Sequence, residues 1–155
     1  MHTPFKLLCT LPVPTTANQH FLKQVFHTLA DTYIPRREQG LRVARVSGAL
    51  TSFGDFAENL ELFESGERYF EAKGYIVCKL SYWEEKIHKR GISGKDAMEH
   101  LHEPLLRSGI ITDLGSLPNW HKSRGAQTEH KIASEPDVPV TITYLEYQQL
   151  RTQVA

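Results

Sequence analysis

Arg42-Val43-Ala44-Arg45-Val46-Ser47-Gly48 is an alternating, β-rich run that stops at a small, hydroxyl-bearing turn. Phe56, Leu60, Phe63 and Phe70 then mark a helix, with Gly74 where a helix C-terminal glycine belongs. Tyr75 to Cys78 is a short apolar strand. Ser81 to Gly94 reads as a long loop or a loop holding a short helix, and Trp83 suggests that part of it packs down. Ser93, three residues before Asp96, resembles a capping box for a helix with Met98, Leu101 and Leu105 inward and Gly109 at its close. Ile110 to Leu117 is a third strand, Ser123 to Ala133 a helix, and Val138, Val140 and Ile142 alternate as a last strand before a terminal helix over 144–152. Strands alternating with helices predict an α/β fold, a doubly wound parallel sheet of four to five strands.

Upstream, residues 5–13 read as a short strand ended by Pro12 and Pro14. Thr16 or Asn18 caps a helix whose apolar positions, Leu22, Val25, Phe26, Leu29 and Tyr33, fall three and four apart. That face must be buried against the chain's own sheet or a partner chain. Pro35 to Gly40 reads as a connector, so residues 1–40 form an N-terminal extension and 41–155 the α/β domain. The 155 residues hold 18 basic and 18 acidic side chains, a formal net charge of zero. This removes the broad electrostatic drive toward duplex nucleic acid or an anionic membrane. No apolar run approaches a membrane span and the opening residues lack a basic n-region, which predicts a soluble, cytoplasmic domain. Two cysteines, Cys9 and Cys78, make neither a disulfide framework nor a four-thiolate zinc site.

In an open parallel sheet a ligand binds beyond the carboxyl ends of the strands. Three segments fall there: residues 47–52, small and hydroxyl-rich; residues 79–83; and residues 118–129. The first lacks the glycine triplet of a dinucleotide fingerprint and the Gly-Lys-Ser/Thr of a P-loop. In the last, Gly125 and Ala126 leave room at a helix start, and Glu129 lies about one turn in, where a carboxylate is favoured by the helix dipole. Plain helix stabilisation is the alternative reading of that glutamate.

Several pieces occur together in order: Val46-Ser47-Gly48-Ala49-Leu50-Thr51, Asn59-Leu60-Glu61-Leu62-Phe63, Gly74-Tyr75-Ile76-Val77, Leu117-Pro118-Asn119-Trp120, Ser123-Arg124-Gly125-Ala126, and Glu129 to Ala133. Over residues 42–143 this set resembles the nucleoside 2-deoxyribosyltransferase superfamily, in particular a phage-rich branch of it. The resemblance implies a flavodoxin-like sheet, often in a dimer, and cleavage of the N-glycosidic bond of a nucleoside or nucleotide. It implies that Glu129 attacks the anomeric carbon and that water or a second base resolves the glycosyl-enzyme, as in a retaining glycosidase. Ser47 and Gly48 match the turn that approaches the sugar or a 5′-phosphate, and Asn59, Trp120, Ser123, Gly125 and Ala126 join them as substrate-binding candidates. Many transferases carry an aspartate six residues before the nucleophile, where this chain has Ser123. The family's aspartate at the start of the third strand is absent from Ser108-Gly109, and Asp113, several residues on, is the remaining candidate for a second catalytic carboxylate. The Asn-Pro that often ends the second strand is Lys79-Leu80. Acid help for the leaving base is therefore unassigned.

Of eight histidines, His100 and His102 form the closest cluster, but residues i and i+2 point apart on a helix, so both are expected at the surface, a metal-ligand pair being the alternative. His130 faces away from Glu129. His121, Lys122 and Arg124 could meet an anion or form a solvated basic cluster. Trp120, Tyr82 or Trp83 could stack on a base or pack in the core, and Cys78 is expected in the core. The expected function is a nucleoside or nucleotide N-glycosidase or deoxyribosyltransferase working without a cofactor, as a homodimer. The alternatives are a nucleotide-binding module without turnover, and an interaction protein using the 1–40 helix as an assembly arm.

Overall fold

The computed structural model describes residues 5–51 and 54–151; Ser52 of the first strand-end turn and Thr152 of the expected terminal helix lie outside them. Val43–Ser47 forms β1, buried along its whole length. It pairs in parallel with β2 (Ile76–Val77) on one side and β3 (Asp113–Ser116) on the other, and β3 pairs in parallel with β4 (Thr141–Tyr144). The strand order β2-β1-β3-β4 places β1 and β3 at the switch point of a flavodoxin-like, doubly wound sheet.

Neighbouring residues of β1 point to opposite faces, and their contacts identify the two layers. Val46 meets Gly66 of α2 (Phe56–Ala72), where an added Cβ would come within 3.2 Å of the valine methyls. Arg45 meets Glu129 of α6 (Arg124–Ala133) on the other face. Gly115 of β3 faces α2 as well. A Cβ there would lie 2.2 Å from the Phe70 ring, so only glycine lets that ring rest on the strand. The terminal α7 (Tyr147–Arg151) packs on α2.

The opposite layer is built from α6, α1 (Ala17–Glu38), α3 (Leu80–Lys89), and a helix that runs as α4 (Gly94–Ala97), a π-helical turn (Met98–His102) and α5 (Glu103–Arg107). Thr16 caps α1 by accepting from the Gln19 N–H, and Ser93 caps α4 by accepting from the Asp96 N–H. The polar stretch after β2 holds α3, whose Leu80 and Ile87 are buried. Trp83 lies edge-on to Phe21 of α1, whereas Tyr82 is exposed on the surface.

Two expectations fail at the amino end. Residues 5–13 make no strand; the segment runs along α5, with a backbone bond from Leu8 N–H to Ser108 C=O and a contact from Cys9 Sγ to the Pro104 carbonyl. Pro35 does not end α1, which continues through Glu38. Proline forfeits one backbone hydrogen bond, but it stands in the last turn, where Arg37 ties the helix end down through Nε to the Gly109 carbonyl at 3.2 Å. Leu22, Val25, Phe26, Leu29 and Ala30 enter the same core as the sheet residues. The described residues on either side of residue 40 thus share one core, and the apolar face of α1 is covered from within the chain. Among the described residues no helix is long and apolar enough to cross a membrane.

Candidate functional site

Strand β1 ends at Ser47 and the chain turns at Gly48. The turn lies close against the loop after β3: a Cβ on Gly48 would come 2.6 Å from Leu117 Cδ1 and 2.8 Å from Asn119 Oδ1. The Asn119 side chain accepts the Ala49 N–H at 3.1 Å, and Asn59 of α2 donates to the Leu50 carbonyl at 3.0 Å. Two asparagines therefore hold this turn in shape. In front of it, at the carboxyl edge of the sheet, opens a cavity of about 350 Å³, within the size range of small-ligand sites.

Glu129, Gly48, Ser123, Gly125 and Ala126 all line it. Ser123 caps α6 by accepting from the Ala126 N–H at 3.2 Å, so its hydroxyl serves the helix as well as the wall. Ser47 is fully buried behind the turn, and Asn59 supports the turn from below; neither lines the cavity. Trp120 also stands away from it, stacked on His130 with ring centroids 4.3 Å apart and Tyr144 alongside.

Asp113 is a clear departure from expectation. It opens β3, at the amino edge of the sheet, opposite the cavity. There it accepts from Nε and Nη2 of Arg42 at 3.0 Å each and from the Thr112 hydroxyl at 2.6 Å. A carboxylate at a strand's beginning cannot meet Glu129 at the strands' ends, so Asp113 is a structural ion-pair partner.

The cavity adds charged residues that the strand-end reading passed over. Arg45, 1% exposed, reaches from β1 to form an ion pair with Glu129. Its Nε and Nη1 have no hydrogen-bond partner among the described residues. Glu84 of α3 receives a 2.9 Å contact from His102 Nε2, and both side chains are largely buried in the cavity wall. Burial pushes the Glu84 carboxyl up, but the His102 contact and the Arg45 charge outweigh it and hold the group below its usual range.

His100 and His102 are therefore not surface residues; each is only 6% exposed. The helix that carries them is covered on one side by α1 and on the other by the cavity layer, so both directions lead inward. Cys78 is a core residue as expected, its thiol pushed up to about 12 by burial.

Residues 43–142 match the family model of a domain of unknown function, DUF4406. The chain belongs to the DUF4406 family. No curated protein and no solved structure matches it. The DUF4406 region begins at β1 and ends within β4, so Arg45, Glu84, His102 and Glu129 all lie inside it, while α1 lies outside. Arg45 stands in the middle of a strand that the structure covers on both faces, where a charge requires a buried partner.

Proposed function

We propose that the chain cleaves the N-glycosidic bond of a nucleoside or nucleotide, with Glu129 as nucleophile and water or a second base as acceptor. The supporting observation is a carboxylate, 6% exposed, in the wall of a small-ligand cavity at the β1/β3 switch point. The resemblance to the nucleoside 2-deoxyribosyltransferase superfamily gives that carboxylate its role. In this reading a Glu129 oxygen attacks the anomeric carbon, the carbon–nitrogen bond breaks, and its electron pair leaves on the base. Arg45 fixes the direction of the carboxylate, and Gly48, Gly125 and Ala126 let backbone approach the sugar closely.

Incubation with a panel of nucleosides and nucleotides, followed by chromatography for free base, tests the reading. Base release is expected, and its absence across the panel overturns it. A second reading, a module that holds a nucleotide without turnover, draws on the unpartnered Arg45 nitrogens, which offer an anion two donors. Tight nucleotide binding with no base release favours that module.

A further inference from the structure

The reaction needs a proton for the departing base, and the family's usual aspartates are missing. Purine and pyrimidine anions are poor leaving groups, so an acid in the same cavity has much to contribute. Asp113 is at the far edge of the sheet, and Glu129 is committed to the sugar. Three ionisable cavity residues remain besides Arg45: Glu84, His88 and His102. His88 lies stacked on Phe56 with ring centroids 3.9 Å apart, and it has no carboxylate partner shown.

His102 is built differently. Its Nε2 is engaged by Glu84 at 2.9 Å, which leaves Nδ1 outside that pair, on a side chain that lines the cavity. That Nδ1 is buried and has no hydrogen-bond partner among the described residues. Buried polar atoms without a partner are rare, and each one calls for a reason. An imidazole oriented by a carboxylate through one nitrogen, with the other free, is a recurrent arrangement for proton transfer. The Glu84–His102 pair also accounts for a histidine in a covered layer that apolar side chains would otherwise fill.

We infer that His102, oriented by Glu84, is the general acid that protonates the leaving base during the Glu129 attack. This rests on the N-glycosidase reading above. The imidazolium gives its Nδ1 proton to a ring nitrogen of the base as the C1′–N bond breaks. The bonding pair stays with the base, C1′ bonds to Glu129, and neutral imidazole remains with its Nε2–H on Glu84. In the second step water or an incoming base attacks C1′, the C1′–O bond to Glu129 breaks with its electron pair returning to the carboxylate, and the attacker's proton passes to Nδ1. His102 is the catalytic residue and Glu84 a positioning residue.

The test compares two leaving groups in wild type, His102→Asn and Glu84→Gln, each verified as folded by circular dichroism. One substrate is the 2′-deoxynucleoside that the wild type cleaves fastest; the other is 4-nitrophenyl 2-deoxyriboside, whose nitrophenolate departs without a proton. Both variants are expected to lose about a hundredfold or more on the nucleoside and to stay within a few-fold of wild type on the nitrophenyl glycoside. Equal losses on both substrates, or none on either, overturn the role of His102 while leaving the Glu129 reading intact. Wild-type protein that cleaves neither substrate overturns both. If His102→Asn does not fold, the selectivity of Glu84→Gln decides alone, since glutamine keeps the shape of the side chain.

Discussion

Arg45 in β1 and Glu129 in α6 form an ion pair with only 1% and 8% of their side chains exposed. Removing both charges from water is costly, and a pair so covered contributes little net stability against a well-packed apolar replacement. Removing one partner is different, because the other remains as an unpaired buried charge. Arg45→Met alone is expected to cost about 3 kcal/mol or more, and Arg45→Met with Glu129→Leu to recover most of it. Urea denaturation of the four proteins in the cycle measures this coupling. Additive losses would show that the two charges do not depend on each other.

Glu129→Gln keeps the size of the side chain and removes its charge. Base release is expected to fall on the order of a thousandfold or more. Nucleotide affinity is expected to change far less, because Gly48, Ser123 and the α6 start remain in place. Chromatographic rates and calorimetric affinities, taken on the same two proteins, check both halves. Equal turnover would exclude Glu129 as nucleophile.

Asp113→Asn tests the opposite edge of the sheet. The substitution weakens two contacts from Arg42 at 3.0 Å and is expected to cost about 2 kcal/mol of stability. It should leave base release unchanged, because the cavity lies at the other end of the strands. A drop in turnover without a drop in stability would return Asp113 to the site.

Gly48→Ala puts a methyl 2.6 Å from Leu117 Cδ1 and 2.8 Å from Asn119 Oδ1. The turn must then move away from the loop after β3, for about 1–3 kcal/mol of overpacking. Asn119 would lose its bond to the Ala49 N–H, and the wall of the cavity would shift with it. Both stability and ligand affinity should fall, whereas Gly125→Ala, whose added Cβ meets nothing nearer than 3.7 Å, should retain stability.

Glu67 supplies the pH dependence. Burial pushes its carboxyl up to about 6 from 4.5, against the opposing bonds from the Ser81 hydroxyl and N–H. A carboxyl raised in the folded state favours the protonated form. Its contribution to stability is therefore fully present below about 4.5 and lost as pH rises through about 6. The loss amounts to about 2 kcal/mol. Glu67→Gln should flatten that slope in urea titrations between pH 4.5 and 8, and an unchanged slope would assign it to other groups.

The sheet was legible because short β-rich runs alternate with helical patterns, and Gly48 and Gly74 mark the turns beside β1 and β2. Ser123 and Glu129 were legible because a cap followed by a helix sets the position of every residue after it. The other side of the cavity was not. Arg45 sits in an alternating run that local pattern reads as half solvated, and only the two covering layers show that both faces are dry. Asp113 lies near the right place in sequence, but a strand shorter than expected, four residues from Asp113 to Ser116, leaves it at the wrong end. Residues 35–40 read as a connector, whereas the last turn of α1 takes Pro35 within it. His102 was misplaced by an argument from α-helical pitch, in a segment that does not have that pitch.

The π-helical turn at Met98–His102, whose closing bond runs from the Glu103 N–H to the Met98 carbonyl, accommodates one residue more than an ordinary turn. Such turns recur at functional sites. Removing one residue there would restore regular α-helical pitch and shift the side chains within the turn by one position. The Ser93 cap and the Leu105 anchor would each tolerate that change locally, but the histidine facing Glu84 would be lost. In comparing members of the family, a one-residue gap in this helix would thus carry more information about chemistry than any substitution beside it. An alignment that closes the gap would pair histidines that occupy different places.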